Sequence, residues 1–142
     1  MKTLYDHILA VTNKQDIGYI DNLTDDELST WTNYRIYNFL SISKKYKSII
    51  LPLEKFASSL DKKSFYLSLI GLVEKSDYYT KSNKNIVYND YLIELISDKF
   101  TCDYDYSKEI ILVLGKTDDG IELLKYLCDT NLTKSQIKKL KL

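Results

Sequence analysis

One proline and four glycines in 142 residues leave this chain almost without obligatory breaks. Proline and glycine are the strongest local interrupters of regular backbone. A sequence so poor in them runs from one element to the next through polar turns alone. Its apolar residues recur at helical spacing, which predicts an all-α protein: short helices forming a small multi-helix bundle. The one stretch with strand character, residues 110–114, has flanks that favour helix.

Leu4, Ile8 and Val11 mark a first helix over residues 3–12, and the polar stretch 13–22, with Gly18, reads as a loop. Thr24 and Glu27 then match the capping box, in which each side chain satisfies a free backbone N–H of the other residue. A helix or helix pair is expected to follow to about residue 41, carrying Trp31, Tyr34, Arg35 and Leu40. Further on, Ile49, Ile50, Leu53, Phe56 and Leu60 form a stripe interrupted by Pro52. Proline inside a helix costs about 3 kcal/mol unless it stands in the first turn, so a kink or a new helix start is expected near Leu51. Asp61 is placed to cap a helix whose apolar face is Phe65, Leu69, Leu72 and Val73. Gly71 within it is either tolerated at about 1 kcal/mol or the mark of a close helix contact.

Residues 76–85 lack apolar periodicity apart from two tyrosines and form the best subdomain boundary. Beyond them, Leu92, Leu95, Ile96 and Phe100 predict one helix. Ile110, Ile111 and Leu114 predict a second, ended by Gly115. Ile121, Leu124 and Cys128 predict a third, opened by Thr117. Thr133 with Gln136 is a second capping box, ahead of Ile137 and Leu140. The organisation expected is two helical subdomains, 1–84 and 85–142, or one continuous domain.

The chemistry-bearing residues are few. Basic and acidic side chains number 20 each, so the net charge points to no partner, although residues 44–84 carry nine lysines against four acids. No run approaches the roughly 20 apolar residues of a membrane helix, and the apolar stretch near residues 8–11 is too short for a signal peptide. The expected location is therefore a reducing cytoplasm, with both cysteines, Cys102 and Cys128, as free thiols. His7 is the only histidine and is expected at a surface or boundary. Two cysteines and one histidine do not complete a four-ligand zinc site without a carboxylate or a second chain. Gly115-Lys116-Thr117 lacks the glycine-rich loop that cradles phosphate. Asp103, Asp105 and Ser107 copy the first ligands of a calcium loop, but Lys108 stands where glycine makes the turn and Leu114 where a bidentate glutamate is needed. The expectation is a non-enzyme with no cofactor and no metal.

Binding signals remain. Tyr78, Tyr79, Lys81 and Lys84 form an aromatic, basic loop suited to stacking on bases and neutralising phosphates; the alternative is that its tyrosines fold onto the core. Trp31 and Arg35 share a helical segment and complete the candidate DNA- or partner-binding set. Thirteen tyrosines point the same way, since tyrosine is enriched at protein interfaces.

The order of segments over about residues 24–142 resembles the small, non-ATPase subunit of the T4-type bacteriophage clamp loader. The resemblance rests on Trp31 through Asn38-Phe39-Leu40-Ser41; on Ser59-Leu60-Asp61-Lys62-Lys63-Ser64-Phe65-Tyr66-Leu67; on Tyr78-Tyr79-Thr80-Lys81-Ser82-Asn83-Lys84; and on the segments 92–100 and 107–114. The family's basic segment usually carries arginine and tryptophan, and this one has neither. The resemblance implies a DNA polymerase accessory role in viral DNA replication. Four copies of an ATPase subunit would join this chain and together load a sliding clamp onto primer–template DNA, in the cytoplasm of an infected cell. Two other roles are compatible with the residues: a small regulator that binds a host protein, and a stand-alone helical nucleic-acid-binding protein.

Overall fold

Helices account for all the regular structure among the residues that the computed structural model describes, 2–80 and 89–140. Nine α-helices lie among them: α1 (Leu4–Leu9), α2 (Asp25–Ser29), α3 (Asn33–Leu40), α4 (Lys47–Ile50), α5 (Lys62–Leu72), α6 (Asp90–Phe100), α7 (Tyr104–Leu114), α8 (Asp118–Asn131) and α9 (Lys134–Leu140). The protein is thus all-α. No described helix is long and apolar enough to cross a membrane. The chain divides into two compact units, Met1–Thr80 and Lys81–Leu142.

In the first unit, Thr3 caps α1, its hydroxyl accepting from the Asp6 N–H while the Asp6 carboxylate accepts from the Thr3 N–H. The helix does not stop at residue 12. It widens into a π-helical segment, Ala10–Lys14, that ends at Gln15 in the left-handed conformation, φ 49°. The Gln15 side-chain amide donates to the carbonyls of Val11 (3.0 Å) and Val73 (2.6 Å), which holds that conformation in place.

Thr24 and Glu27 form the expected capping box on α2, and the 24–41 region is a helix pair, α2 and α3. Pro52 falls in the first turn of a 3-10 segment, Leu51–Phe56, that follows α4. A proline there loses no hydrogen bond, because the first-turn N–H groups have no partner within the helix. Asp61 caps α5 through the Ser64 N–H. Helix α5 is the central element, packing on α3, α4, the 3-10 segment and the π segment. Its Phe65, Tyr66 and Leu69 are fully buried, together with Ile8, Val11, Trp31, Leu40 and Ile50.

One detail of the expected packing differs, and one alternative is decided. Leu72 is exposed rather than on the apolar face. A side chain at Gly71 would meet nothing within 4 Å, so this glycine marks no close contact.

In the second unit, α6, α7 and α8 pack on one another and α9 lies on α8. Thr117 caps α8 and Thr133 exchanges hydrogen bonds with Gln136 at α9, both as expected, while Asn89 and Asp103 cap α6 and α7. Gly120, in the first turn of α8, sits where a Cβ would lie 2.0 Å from the Leu114 carbonyl oxygen. The tight α7–α8 corner therefore admits no side chain at this position.

Candidate functional site

The four candidate residues that the structure describes, Trp31, Arg35, Tyr78 and Tyr79, do not form one surface. Trp31, at the α2–α3 junction, is completely buried. Its indole N–H donates to Asn33 Oδ1 (2.8 Å), and the Asn33 amide donates in turn to the Leu60 carbonyl (2.9 Å). Its ring stands edge-on to His7 and Tyr66. This tryptophan joins three parts of the core and has no face left for a partner. Arg35 lies on the exposed side of α3, beside exposed Tyr34.

Tyr78 and Tyr79 belong to a second aromatic group with Phe39 and Tyr46. Tyr79 is buried and stacks on Tyr46, ring centroids 6.1 Å apart and planes 15° from parallel. Tyr78 stands edge-on to both and carries the Lys45 ammonium over its ring at 5.1 Å. The Tyr5 hydroxyl donates to the Tyr79 carbonyl at 2.9 Å. The aromatic faces expected to stack on bases are thus occupied by neighbours, and of the two readings of this loop its tyrosines follow the core one. Burial raises the pKa of the Tyr46 phenol; its hydroxyl has no hydrogen-bond partner among the described residues, and the nearby Ser76 hydroxyl tempers the rise. Lys81 and Lys84 lie outside the described residues.

His7 is not at a surface. It is buried at the centre of the first unit, with Nδ1 2.7 Å from the Tyr19 hydroxyl and Nε2 2.7 Å from Thr30 Oγ1. The Thr30 hydroxyl donates its own proton to the Glu27 carbonyl (2.6 Å), so Nε2 carries the imidazole proton and Nδ1 accepts from Tyr19. The ring is neutral and fully committed. Burial, the largest influence, pushes its pKa down to about 4; Asp6 and Glu27 pull it up and Lys2 and Lys62 push it further down. Lone apolar-face histidines carry little signal in sequence, and the spacing of His7 from Tyr19 and Thr30 has no local pattern.

Both cysteines are free. Cys128 is buried, and burial with Asp129 nearby pushes its thiol up to about 11, so it holds its proton at neutral pH. Asp103 serves as a helix cap, accepting from the Tyr106 N–H at 2.8 Å. No group of three or more potential metal ligands occurs among the described residues.

A surface that sequence reading missed lies on α4 and the 3-10 segment. Ile49 (39% exposed), Leu51 (54%) and Phe56 (39%) face outward, while Ile50 and Leu53 face in. Leu51, Pro52, Glu54 and Lys55 line a shallow depression of about 530 Å³, and the Lys55 ammonium lies over the Phe56 ring at 5.2 Å. Pro52 was the available signal. It ends α4 at Ile50 and opens a separate 3-10 segment at Leu51.

Comparison of the chain with protein-family models, with characterised proteins and with solved structures finds no match in any of the three.

Proposed function

We propose that this chain is a non-catalytic helical subunit that works by docking onto partner proteins, as the small subunit of a phage clamp loader of the T4 type. In that role it assembles with four copies of a separate ATPase subunit. The assembly opens the ring-shaped sliding clamp and closes it around primer–template DNA, while ATP is hydrolysed by the partners. What supports the reading is the order of residue segments that resembles that subunit, the segments expected as helices being helices in this fold. The Trp31 segment runs into α3, the Asp61 segment opens α5, and segments 92–100 and 107–114 fall on α6 and α7. A non-catalytic role is supported by His7, whose two ring nitrogens are both engaged within the core, and by the protonated Cys128 thiol. The outward Ile49, Leu51 and Phe56 supply the kind of apolar surface that a subunit interface covers.

Co-expression with the candidate ATPase subunit of the same genome, followed by native mass spectrometry, tests the proposal. One copy of this chain with four of the ATPase is the expected stoichiometry. Separate elution of the two proteins at micromolar concentration removes the reading and turns the search to a host protein. Binding of this chain alone to primer–template DNA, falling steeply with salt, would replace it with the stand-alone DNA-binding role.

A further inference from the structure

Three donors converge where residues 43–46 meet residues 76–78, within the first unit. The Ser76 hydroxyl oxygen accepts from the Lys45 ammonium (3.1 Å) and from the Tyr78 N–H (3.0 Å). A hydroxyl has two lone pairs and one proton, so both acceptor positions of Ser76 are taken. The third donor is the Tyr46 phenol close by, in a residue only 1% exposed, and it has no hydrogen-bond partner among the described residues. The Ser76 proton likewise has no acceptor among those residues. Whichever of the two hydroxyls turns toward the other, one proton in this seam is left over. Buried polar groups in native proteins are almost always satisfied, by protein, by ordered water or by an ion. The neighbours add no acceptor: the Ser43 hydroxyl already accepts from the Lys45 N–H (3.2 Å) and donates to the Tyr78 hydroxyl (3.4 Å). The seam is also held in shape. Ser76 is pinned by the Thr12 carbonyl and the Asn13 amide, and the Lys45 ammonium lies over the rings of Tyr46 and Tyr78.

What the seam lacks is an acceptor. A water molecule brings two protons with its two lone pairs, which leaves the shortage unchanged. An oxyanion brings acceptors alone, and its charge is matched by the Lys45 ammonium. Residues 43–48 contain three lysines and no acid, and the acids nearest Ser76 in sequence, Glu74 and Asp77, form no ion pair with Lys45. We propose that this seam binds a phosphate-type oxyanion, whose oxygens accept from the Lys45 ammonium, the Tyr46 O–H and the Ser76 O–H. Inorganic phosphate or a terminal phosphate monoester has three free oxygens for these three donors, whereas a phosphodiester has two. Entry is from the side of Lys45, which is exposed, past the half-buried Ser76. The site rests on these residues alone and stands whether or not the clamp-loader assembly forms.

The test titrates inorganic phosphate into the full chain, isotopically labelled for amide spectra, against sodium chloride of equal ionic strength. Phosphate is expected to shift the amides of residues 43–47 and 76–78 and to saturate with a Kd of about 1 mM. Tyr46→Phe, which removes only the phenol oxygen, and Lys45→Gln, at an exposed side chain, are each expected to weaken that binding about tenfold. In chloride, Tyr46→Phe is expected to melt no lower than the natural chain, because the group it removes has no partner. The proposal is overturned if phosphate leaves these amides unshifted. It is overturned equally if both variants bind phosphate as the natural chain does, which marks a diffuse attraction to surface lysines. A Tyr46→Phe variant that melts several degrees lower in chloride also overturns it, by showing that the phenol is already satisfied within the fold. An oligonucleotide without a terminal phosphate is expected to leave the same amides in place; a shift from it, with none from inorganic phosphate, overturns the proposal and assigns the seam to a nucleic-acid backbone.

Discussion

Acidification between pH 7.5 and 5.5 is expected to destabilise the first unit through one residue, His7. In the fold the ring is neutral and its pKa is pushed down to about 4, chiefly by burial; in the unfolded chain it returns to about 6.5. Above pH 6.5 neither state binds the proton and the contribution to stability is complete. As pH falls through 6.5 the unfolded chain takes up a proton that the native state refuses, so stability rises with pH across this window and falls with acid. At pH 5.5 the unfolded histidine is about nine-tenths protonated and the native one only a few per cent, which makes the loss relative to pH 7.5 about 1.3 kcal/mol. Continued to pH 5 it reaches about 2 kcal/mol. Carboxylates interfere little here. The helix-capping Glu27 and Asp61 both have pKa values held below the ordinary carboxylate range, by hydrogen bonds from Thr24 and Ser64, and their loss begins at lower pH. Urea denaturation at half-unit pH intervals measures the slope, and His7→Gln supplies the control. That variant is expected to be less stable at pH 7.5, by about 1–3 kcal/mol for disturbed buried hydrogen bonds, and to be flat from 7.5 to 5.5. A wild-type stability that does not change over this range, or a slope that persists in the variant, refutes the neutral, doubly bonded imidazole.

Two further substitutions probe the second unit. Gly120→Ala gains about 1 kcal/mol of helix propensity, yet its Cβ falls 2.0 Å from the Leu114 oxygen and 2.7 Å from two more Leu114 backbone atoms; a net loss of about 2 kcal/mol or more is expected, and an unchanged thermal midpoint would refute the close approach. Thr101, which ends α6 at φ 51°, is an exposed β-branched residue in the left-handed region, so Thr101→Gly is expected to raise stability by about 0.5–1 kcal/mol in denaturant titration.

The parts of the fold legible in sequence are those decided locally. The caps at Thr24, Asp61, Thr117 and Thr133 depend on a few neighbouring residues, and all four are in place. The break at Pro52 follows from one missing N–H. What needed tertiary information was read less well. The π segment after α1 and the left-handed Gln15 are held by Val73 and Ser76, some 60 residues away, and no pattern within residues 10–15 announces them. Trp31 and Tyr79 carry the composition of a binding site, but partners distant in sequence, Tyr66 for one and Tyr46 for the other, enclose them. Ile49 and Phe56, which periodicity placed on the apolar stripe, are each 39% exposed even though the break at Pro52 was expected, because spacing alone does not say which face of each short segment meets the core.

The bridge between the π segment and Ser76 also sets an order of events during synthesis. The Ser76 N–H donates to the Thr12 carbonyl at 2.8 Å, and the Asn13 amide reaches the Ser76 carbonyl at 2.9 Å across 63 residues. At about 5–20 residues per second, ribosomes take roughly 3–13 s to cover that span. For most of that interval Ile8 and Val11 are made but α5, which supplies the buried Tyr66 and Leu69, is not. The first unit therefore completes its fold only when the last residues of its own span are available to close it.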